Sequence, residues 1–425
     1  MYNVVHKNGD INYMWNTYSG ALLKLDERGQ EYVRSFSGAD DGSNEFKLLK
    51  DNGFIVYKEL DEFFRVCMEE KQAMFNPNPE HLHLVITPGM GCNYSCECCF
   101  EKGADLTGVM TPEIANDVAE YVCTQLQNNP NIEKLQIIWF GGEPLLYVDI
   151  IELISYKIIK YVQKNNIQYA AWITTNGRYL DRNTLLKLQN VFVERAQITV
   201  DGMSDVYCRR KGASPDDFSN VIDNICYAAE NSNIRVNINI VNNDANDAIE
   251  ISDYLLKQCN LKGRIHVYFH QSLDYSHTPD VAQQTYLEYD ESFFRWLHYM
   301  IKEYGVSEEI RFIFRKRKTT CCELVKTGSV CIGPRGELHK CFRNSGVKSM
   351  IIGDIWGHRY YNDAENKFYK TLDDSTKSEC FKCEYLPFCM GGCQCFRATG
   401  FKRCDCDARK VTMLKLKLLE GGVYA

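Results

Sequence analysis

Between His81 and His270 short apolar runs alternate with longer stretches of helical periodicity. The runs His81–Thr87, Leu135–Phe140, Ala170–Thr175, Ala196–Val200, Ile234–Ile240 and Ile265–His270 have the length and composition of strands. The stretches between them repeat apolar residues every three or four positions, which predicts helices over Thr111–Leu126, Val148–Lys164, Asp217–Glu230 and Ala245–Gln258. Thr111-Pro112-Glu113 is a strong helix start, with a capping hydroxyl and proline in the first turn. A series of six β–α units implies an α/β fold in which a parallel sheet carries its helices outside. In such folds the chemistry sits at the carboxyl ends of the strands.

The flanking regions follow other patterns. Residues 1–73 predict a small α+β unit: strands around Val4 and Tyr13, a helix over Asp26–Ser35, a second near Glu45–Asn52, a strand Gly53–Tyr57 and a last helix from Asp61. That order is winged-helix-like. Its helices carry no basic stripe, so capture of a peptide by strand addition fits better than DNA binding. Phe75-Asn76-Pro77-Asn78-Pro79 predicts a linker. An amphipathic helix over Asp290–Tyr304, with Phe293, Phe294, Leu297 and Met300 on one face, bridges to a cysteine-dense C-terminal part. Three domains are therefore expected, at 1–73, 81–305 and 306–425.

Composition narrows the function classes. The chain has 425 residues, 45% hydrophobic and 25% charged, with a net charge of −7. That balance argues against broad attraction to nucleic acid or an anionic membrane. No apolar run approaches the ~20 residues of a membrane span. Met1–Lys7 lacks the apolar core of a signal peptide, so a cytoplasmic protein is expected. In that setting 20 cysteines indicate metal binding rather than disulfides. Four lie in 92–99 and eleven between Cys321 and Cys406; Cys67, Cys123, Cys208, Cys226 and Cys259 are scattered and read as small buried side chains.

The loops after the strands carry the candidate chemistry. The first strand is followed by Pro88-Gly89-Met90-Gly91 and then Cys92, Cys96 and Cys99 at the spacing C-x3-C-x2-C, with Cys98 as a fourth nearby thiol. Thiolates in a tight loop suit zinc or an iron–sulfur cluster, and three ligands on a cubane leave one iron open. Phe140 is followed by Gly141-Gly142-Glu143-Pro144, the third strand by Thr174-Thr175-Asn176-Gly177, and the fourth by Thr199-Val200-Asp201-Gly202. Glycine suits a close backbone approach and a carboxylate complements an ammonium. Arg209, Arg210, Lys211 and Gly212 then form either a carboxylate-binding turn or a solvated basic one. Farther on, Cys322 and Cys341 flank a Pro334–Gly336 hairpin turn, and Cys380, Cys383, Cys389 and Cys393 follow at spacings of 2, 5 and 3, before Cys404 and Cys406. One or two zinc-ribbon-like sites are the alternative there.

The cysteine loop resembles that of radical SAM enzymes, although Cys98 stands where the family usually has an aromatic residue. The Gly141-Gly142-Glu143 and Thr199-Val200-Asp201-Gly202 turns resemble family motifs in the expected order, and the C-terminal cysteines resemble the SPASM domain. The resemblance covers about residues 81–410 and implies a partial (β/α)6 barrel. It implies a [4Fe-4S] cluster on Cys92, Cys96 and Cys99 that binds S-adenosylmethionine. Gly141, Gly142, Glu143 and Pro144 would hold the methionyl amino group, and Thr174, Asn176, Thr199 and Asp201 would complete the cofactor site. Two auxiliary [4Fe-4S] clusters follow from it, one on Cys322, Cys341 and Cys393, the other on Cys380, Cys383, Cys389 and a final cysteine, Cys406 in preference to Cys404. Cys321, Cys331 and Cys395 are left without assignment; the first auxiliary cluster is expected to be open to a substrate sulfur, with closure by Cys331 or Cys321 as the alternative. With its N-terminal unit the chain resembles maturases that form thioether crosslinks in ribosomally made precursor peptides (sactipeptide and ranthipeptide synthases). In these a 5′-deoxyadenosyl radical abstracts hydrogen from a carbon, a cysteine sulfur bonds to it, and flavodoxin or ferredoxin supplies electrons. Sulfatase maturases share the clusters but have aspartate after the equivalent of Cys341, where this chain has Phe342. A zinc-bearing peptide adaptor is the non-enzymatic alternative.

Overall fold

The computed structural model describes residues 1–76, 79–99, 101, 104–272, 279–305, 317–360, 363–372, 380–395 and 406–422. Pro77 and Asn78 of the expected linker, and Cys404, lie outside them.

Strands β4 (His81–Ile86), β5 (Lys134–Trp139), β6 (Gln168–Thr175), β7 (Val193–Thr199), β8 (Arg235–Asn242) and β9 (Ile265–Gln271) lie side by side in chain order, and every neighbouring pair is parallel. Helices α4 (Pro112–Asn128), α5 (Val148–Lys164), α6 (Arg182–Asn190), α7 (Ser204–Lys211), α8 (Pro215–Asn231) and α9 (Ala245–Asp253) connect them. Right-handed crossovers between strands that never reverse order place the connecting helices on one side of the sheet. The residues record this. Leu135, Ile137, Trp139, Ala196, Ile198, Val236, Ile238, Ile240, Ile265 and Val267 belong to one buried apolar core, while Gln136, Gln197, Thr199, Asn237 and Asn239 alternate with them on the other face. The other face is thus polar, an arrangement suited to a ligand rather than to a second layer of helices.

The C-terminal region continues this sheet. β10 (Val330–Ile332) pairs in parallel with β4, and β11 (Glu337–His339) and β12 (Gly353–Asp354) follow antiparallel, giving nine strands. The expected hairpin at Pro334–Gly336 joins β10 to β11, with Cys331 opposite His339. A helix α10 (Pro279–Tyr304) precedes this region, and the last helix spans Cys406–Glu420.

In the N-terminal unit β1 (Asn3–Asn8), β2 (Ile11–Asn16) and β3 (Leu22–Leu25) form an antiparallel sheet, followed by α1 (Glu27–Ser35), α2 (Asn44–Asp51) and α3 (Glu62–Met74). The strand expected at Gly53–Tyr57 is not one. Gly53, at φ +79°, turns the chain out of α2, and the Phe54 N–H closes back on the Leu49 carbonyl at 2.8 Å. Phe54 then fills a core with Met14, Leu25 and Leu49, so its apolar character serves helix capping and packing. Among the described residues no helix is long and apolar enough to cross a membrane.

Candidate functional site

The cysteine loop leaves the carboxyl end of β4, where the Thr87 N–H still bonds the Ile332 carbonyl of β10 at 2.9 Å. Beyond it the backbone is pressed against the turn that follows β5. The Glu143 N–H donates to the Gly91 carbonyl at 2.9 Å. A Cβ on Gly142 would stand 2.3 Å from the Met90 carbonyl oxygen, and one on Gly141 2.5 Å from that of Gly89. Both glycines are required by this backbone-on-backbone contact. Gly142→Ala should therefore displace the loop, at a cost of roughly 1–3 kcal/mol, and lower both the melting temperature and S-adenosylmethionine cleavage; unchanged values would show that the loop tolerates the shift.

The other side of the loop is held by the end of α7. The Ser95 N–H bonds the Lys211 carbonyl at 3.1 Å and the Glu97 N–H that of Arg210 at 2.9 Å. Gly212, at φ +64°, leaves room for the Ser95 hydroxyl, 2.5 Å from where a Cβ would lie. Cys92 is the most exposed of the thiols, with Cys96, Cys98 and Cys99 half-buried. Burial raises the pKa of Cys92, as do the carboxylates of Glu143 and Glu101 and the Cys99 thiol. Cys96 is pushed up to about 11 by burial, against the opposing charge of Lys211. A bound metal would favour the thiolate forms of Cys92 and Cys96. Among the described residues no three His, Cys, Asp or Glu side chains converge on a single-ion site. Three thiols on one short loop are a donor set that suits an iron–sulfur cluster with one iron left open.

Glu143 is fully buried. Its carboxylate accepts from the Thr175 hydroxyl at 2.6 Å, the Asn176 N–H at 2.7 Å and the Leu145 N–H at 3.0 Å, which joins the ends of β5 and β6. Desolvation raises its pKa, with these donors opposing. A carboxylate has about four acceptor positions, so one remains for a ligand. The Asn176 amide reaches the cysteine loop at Asn93 Oδ1, 2.8 Å away. Thr174 and Thr199 are half-buried at the ends of β6 and β7, and Pro144 is buried at the start of the turn after Glu143. Asp201 is wholly buried, with Lys211 Nζ at 3.4 Å and Arg210 Nε at 3.9 Å from its carboxylate. Burial opposes the Lys211 charge, but Asp201, Cys96 and Cys98 outweigh it and raise its pKa. The basic run is thus divided: Arg209 is exposed, while Arg210 and Lys211 turn inward.

The remaining cysteines fall into two groups. Cys380, Cys383 and Cys389 pack against the N-terminal unit, with Tyr2, Val66 and Cys67 on one side and Val4 and Trp15 on the other. Cys321 belongs to this group. Its neighbour Cys322 faces the other way, where Cys393 is close enough to raise its pKa after burial. Cys341 hydrogen-bonds Cys395 and lies near Cys331. Sequence reasoning left Cys395 unassigned and missed Lys340, which is 1% exposed. Its Nζ donates to the Ser329 carbonyl at 2.6 Å and the Lys326 carbonyl at 3.0 Å. Desolvation lowers its pKa to about 8, with Cys331, Glu365 and Cys322 opposing. Phe342 packs on Phe140 with ring centroids 4.7 Å apart.

No curated protein matches the chain. Among solved structures, anSMEcpe with bound AdoMet is similar at TM-score 0.60 and 19% identity, over 80% of this chain and 97% of that one. The same protein with AdoMet and the Cp18Cys peptide gives 0.59 and 18%, over 80% and 97%. SuiB of Streptococcus suis bound to precursor peptide SuiA gives 0.48 and 16%, over 92% and 94%. Residues 86–252, from the end of β4 through the cysteine loop to α9, match the model of the radical SAM superfamily, whose members hold a [4Fe-4S] cluster and S-adenosylmethionine.

Proposed function

We propose that this chain is a radical SAM/SPASM maturase that forms thioether crosslinks in a ribosomally synthesised precursor peptide, of the kind the freyrasin maturase represents. The observation that carries the reading is the cysteine loop at the end of β4, clamped by the Gly141-Gly142-Glu143 backbone inside a radical SAM domain. A peptide substrate is supported by the fold shared with anSMEcpe, whose structure holds AdoMet and a peptide. A groove of about 560 Å³ in the N-terminal unit, lined by Tyr18, Ala21, Asn52, Val56, Glu62 and Arg65, suits a leader segment.

When bound, the cluster and S-adenosylmethionine supply a radical able to abstract hydrogen. Cys92, Cys96 and Cys99 would hold the cluster, the free acceptor position of Glu143 would take the methionyl ammonium, and Thr174, Asn176 and Thr199 would offer polar groups to the nucleoside. Asp201 fixes Lys211 and Arg210 beside the loop, where their charge favours the methionine carboxylate. The overall change removes one hydrogen atom from a substrate carbon and one proton from a cysteine thiol, forms the C–S bond, and releases one electron, for which an auxiliary cluster held by the C-terminal cysteines would be the acceptor. Phe342 against Phe140 provides an apolar wall where sulfatase maturases carry an acid, which favours crosslinking over that oxidation.

The test is incubation of the reduced, reconstituted enzyme with S-adenosylmethionine, flavodoxin or ferredoxin, and the cysteine-rich precursor encoded beside it. Each crosslink should remove two hydrogens and one alkylatable thiol. Loss of hydrogens with every thiol still alkylatable would point to peptide oxidation or C–C crosslinking instead.

A further inference from the structure

The first auxiliary site has more thiols around it than its motif uses. Cys322, Cys341 and Cys393 leave one iron of a cubane without a protein ligand. Three unassigned cysteines lie near enough in sequence to compete. Cys321 is packed with Cys380 and Cys383 in the other group. Cys331 is 0% exposed and packed with Val85 and Leu324, with Ile138, Phe140 and Phe342 around them; Cys322 and Cys395 are near enough to raise its pKa, but it shares no apolar contact group with Cys341. Cys395 is different. It is 5% exposed, touches Cys341 and Phe368, and lies two residues beyond Cys393.

A second observation points to the same place. Asn344 and Ser345 follow Cys341 in a tight turn and are 4% and 2% exposed. The Cys395 thiol donates to Asn344 Oδ1 at 3.7 Å. Asn344 Nδ2 and Ser345 Oγ, however, have no hydrogen-bond partner among the described residues. Buried donors are seldom left without an acceptor. Cluster sulfurs accept hydrogen bonds, and such bonds tune their potentials.

We propose that Cys395 is the fourth protein ligand of the first auxiliary cluster, and that Asn344 and Ser345 donate hydrogen bonds to its sulfurs. The proposal rests on the SPASM reading above. As a thiolate Cys395 no longer donates, and rotation of the Asn344 amide turns Nδ2 toward sulfur. The cluster is then closed, and the substrate thiol is deprotonated elsewhere. This replaces the open site expected from the motif.

The test uses full-length protein with Cys92, Cys96 and Cys99 changed to alanine, so that only auxiliary iron remains. After anaerobic reconstitution, iron and sulfide are counted, and electron paramagnetic resonance is recorded after mild oxidation and after addition of 2-mercaptoethanol. The parent should hold two four-iron clusters whose spectra ignore the added thiol. Adding Cys395→Ala should give a three-iron signal on oxidation, with loss of about one iron, and a spectrum that responds to the thiol. Cys395→Ser repeats the comparison if the alanine variant does not fold. Asn344→Leu should keep all iron but lower the midpoint potential of one cluster, which a merely structural residue would not do. A parent that already responds to the thiol, or a Cys395→Ala protein that behaves as the parent while Cys331→Ala shows the three-iron signal, would overturn the assignment. A parent without auxiliary iron would sink the SPASM reading itself, and the ligand assignment with it.

Discussion

Replacing Cys92, Cys96 and Cys99 together by alanine should abolish formation of 5′-deoxyadenosine from S-adenosylmethionine while leaving auxiliary iron in place. The loop does not owe its shape to these thiols. Its backbone is fixed by hydrogen bonds from Ser95 and Glu97 to the end of α7 and by the Glu143–Gly91 bond. The variant should therefore keep its fold and its melting temperature. Enzymes supply roughly 10⁶-fold or more over the uncatalysed reaction, so removal of the cluster leaves nothing measurable above background. The auxiliary cysteines lie on other segments, from Cys322 onward, and their iron should survive. Cys98→Ala is the control. Cys98 lies beside Cys96 and raises its pKa, yet the motif does not use it, so cleavage should continue. Deoxyadenosine from the triple variant, or its loss in Cys98→Ala, would refute the ligand assignment.

Much of this site is visible in the sequence because a metal loop is written in consecutive residues. The strands β4 to β9 are equally legible. Each is a short apolar run whose residues toward the helices fill the core, and β7, β8 and β9 also alternate with polar residues on the opposite face, a signal that survives without tertiary information. α6 and α7 escape notice for the opposite reason: each is short, and α7, Ser204–Lys211, ends in three consecutive cations. Gly53–Tyr57 misleads because Phe54 and Ile55 suit a strand as well as they suit the apolar end of a helix cap.

Burial of polar residues is where sequence reading stops. Lys340, Asn344 and Ser345 look like surface residues of a loop, and only the packing of β10, β11 and Phe368 places them inside. The run Arg209–Lys211 likewise looks uniform, yet Asp201 selects Lys211 for the interior. Cys395 sits just past a strong motif, and a spacing rule has no means of ranking it against Cys331 or Cys321. Contact separates them in part: Cys321 packs in another group, Cys331 lies nearby, and Cys395 packs directly with Cys341.

Deleting residues 1–73 should cost the protein more than its precursor. Trp15, 1% exposed, meets Tyr385 and Phe388 edge-on at 5.8 and 5.4 Å, next to Cys383 and Cys389. Phe63 meets Phe381 at 4.8 Å, and Tyr2 and Val66 pack with Leu372, Leu386 and Met390. The Glu70 carboxylate accepts the Leu372 N–H at 2.7 Å. Losing one buried aromatic contact of this kind costs about 3–5 kcal/mol, and several at once reach the ~5–15 kcal/mol stability of a whole domain. The shortened chain should therefore lose both precursor capture and the iron held by Cys380, Cys383 and Cys389. Uncoupled S-adenosylmethionine cleavage should persist, because among the described residues the core of the nine-stranded sheet contains none from the N-terminal unit. Recruitment alone is better tested at Val56, which is 38% exposed and lines the groove. Val56→Asp should keep full iron and cleavage while weakening binding of a labelled precursor, read by fluorescence anisotropy. Full iron in the shortened chain would show that the second cysteine group stands without this support. Unaltered precursor affinity in Val56→Asp would move the docking site out of the groove.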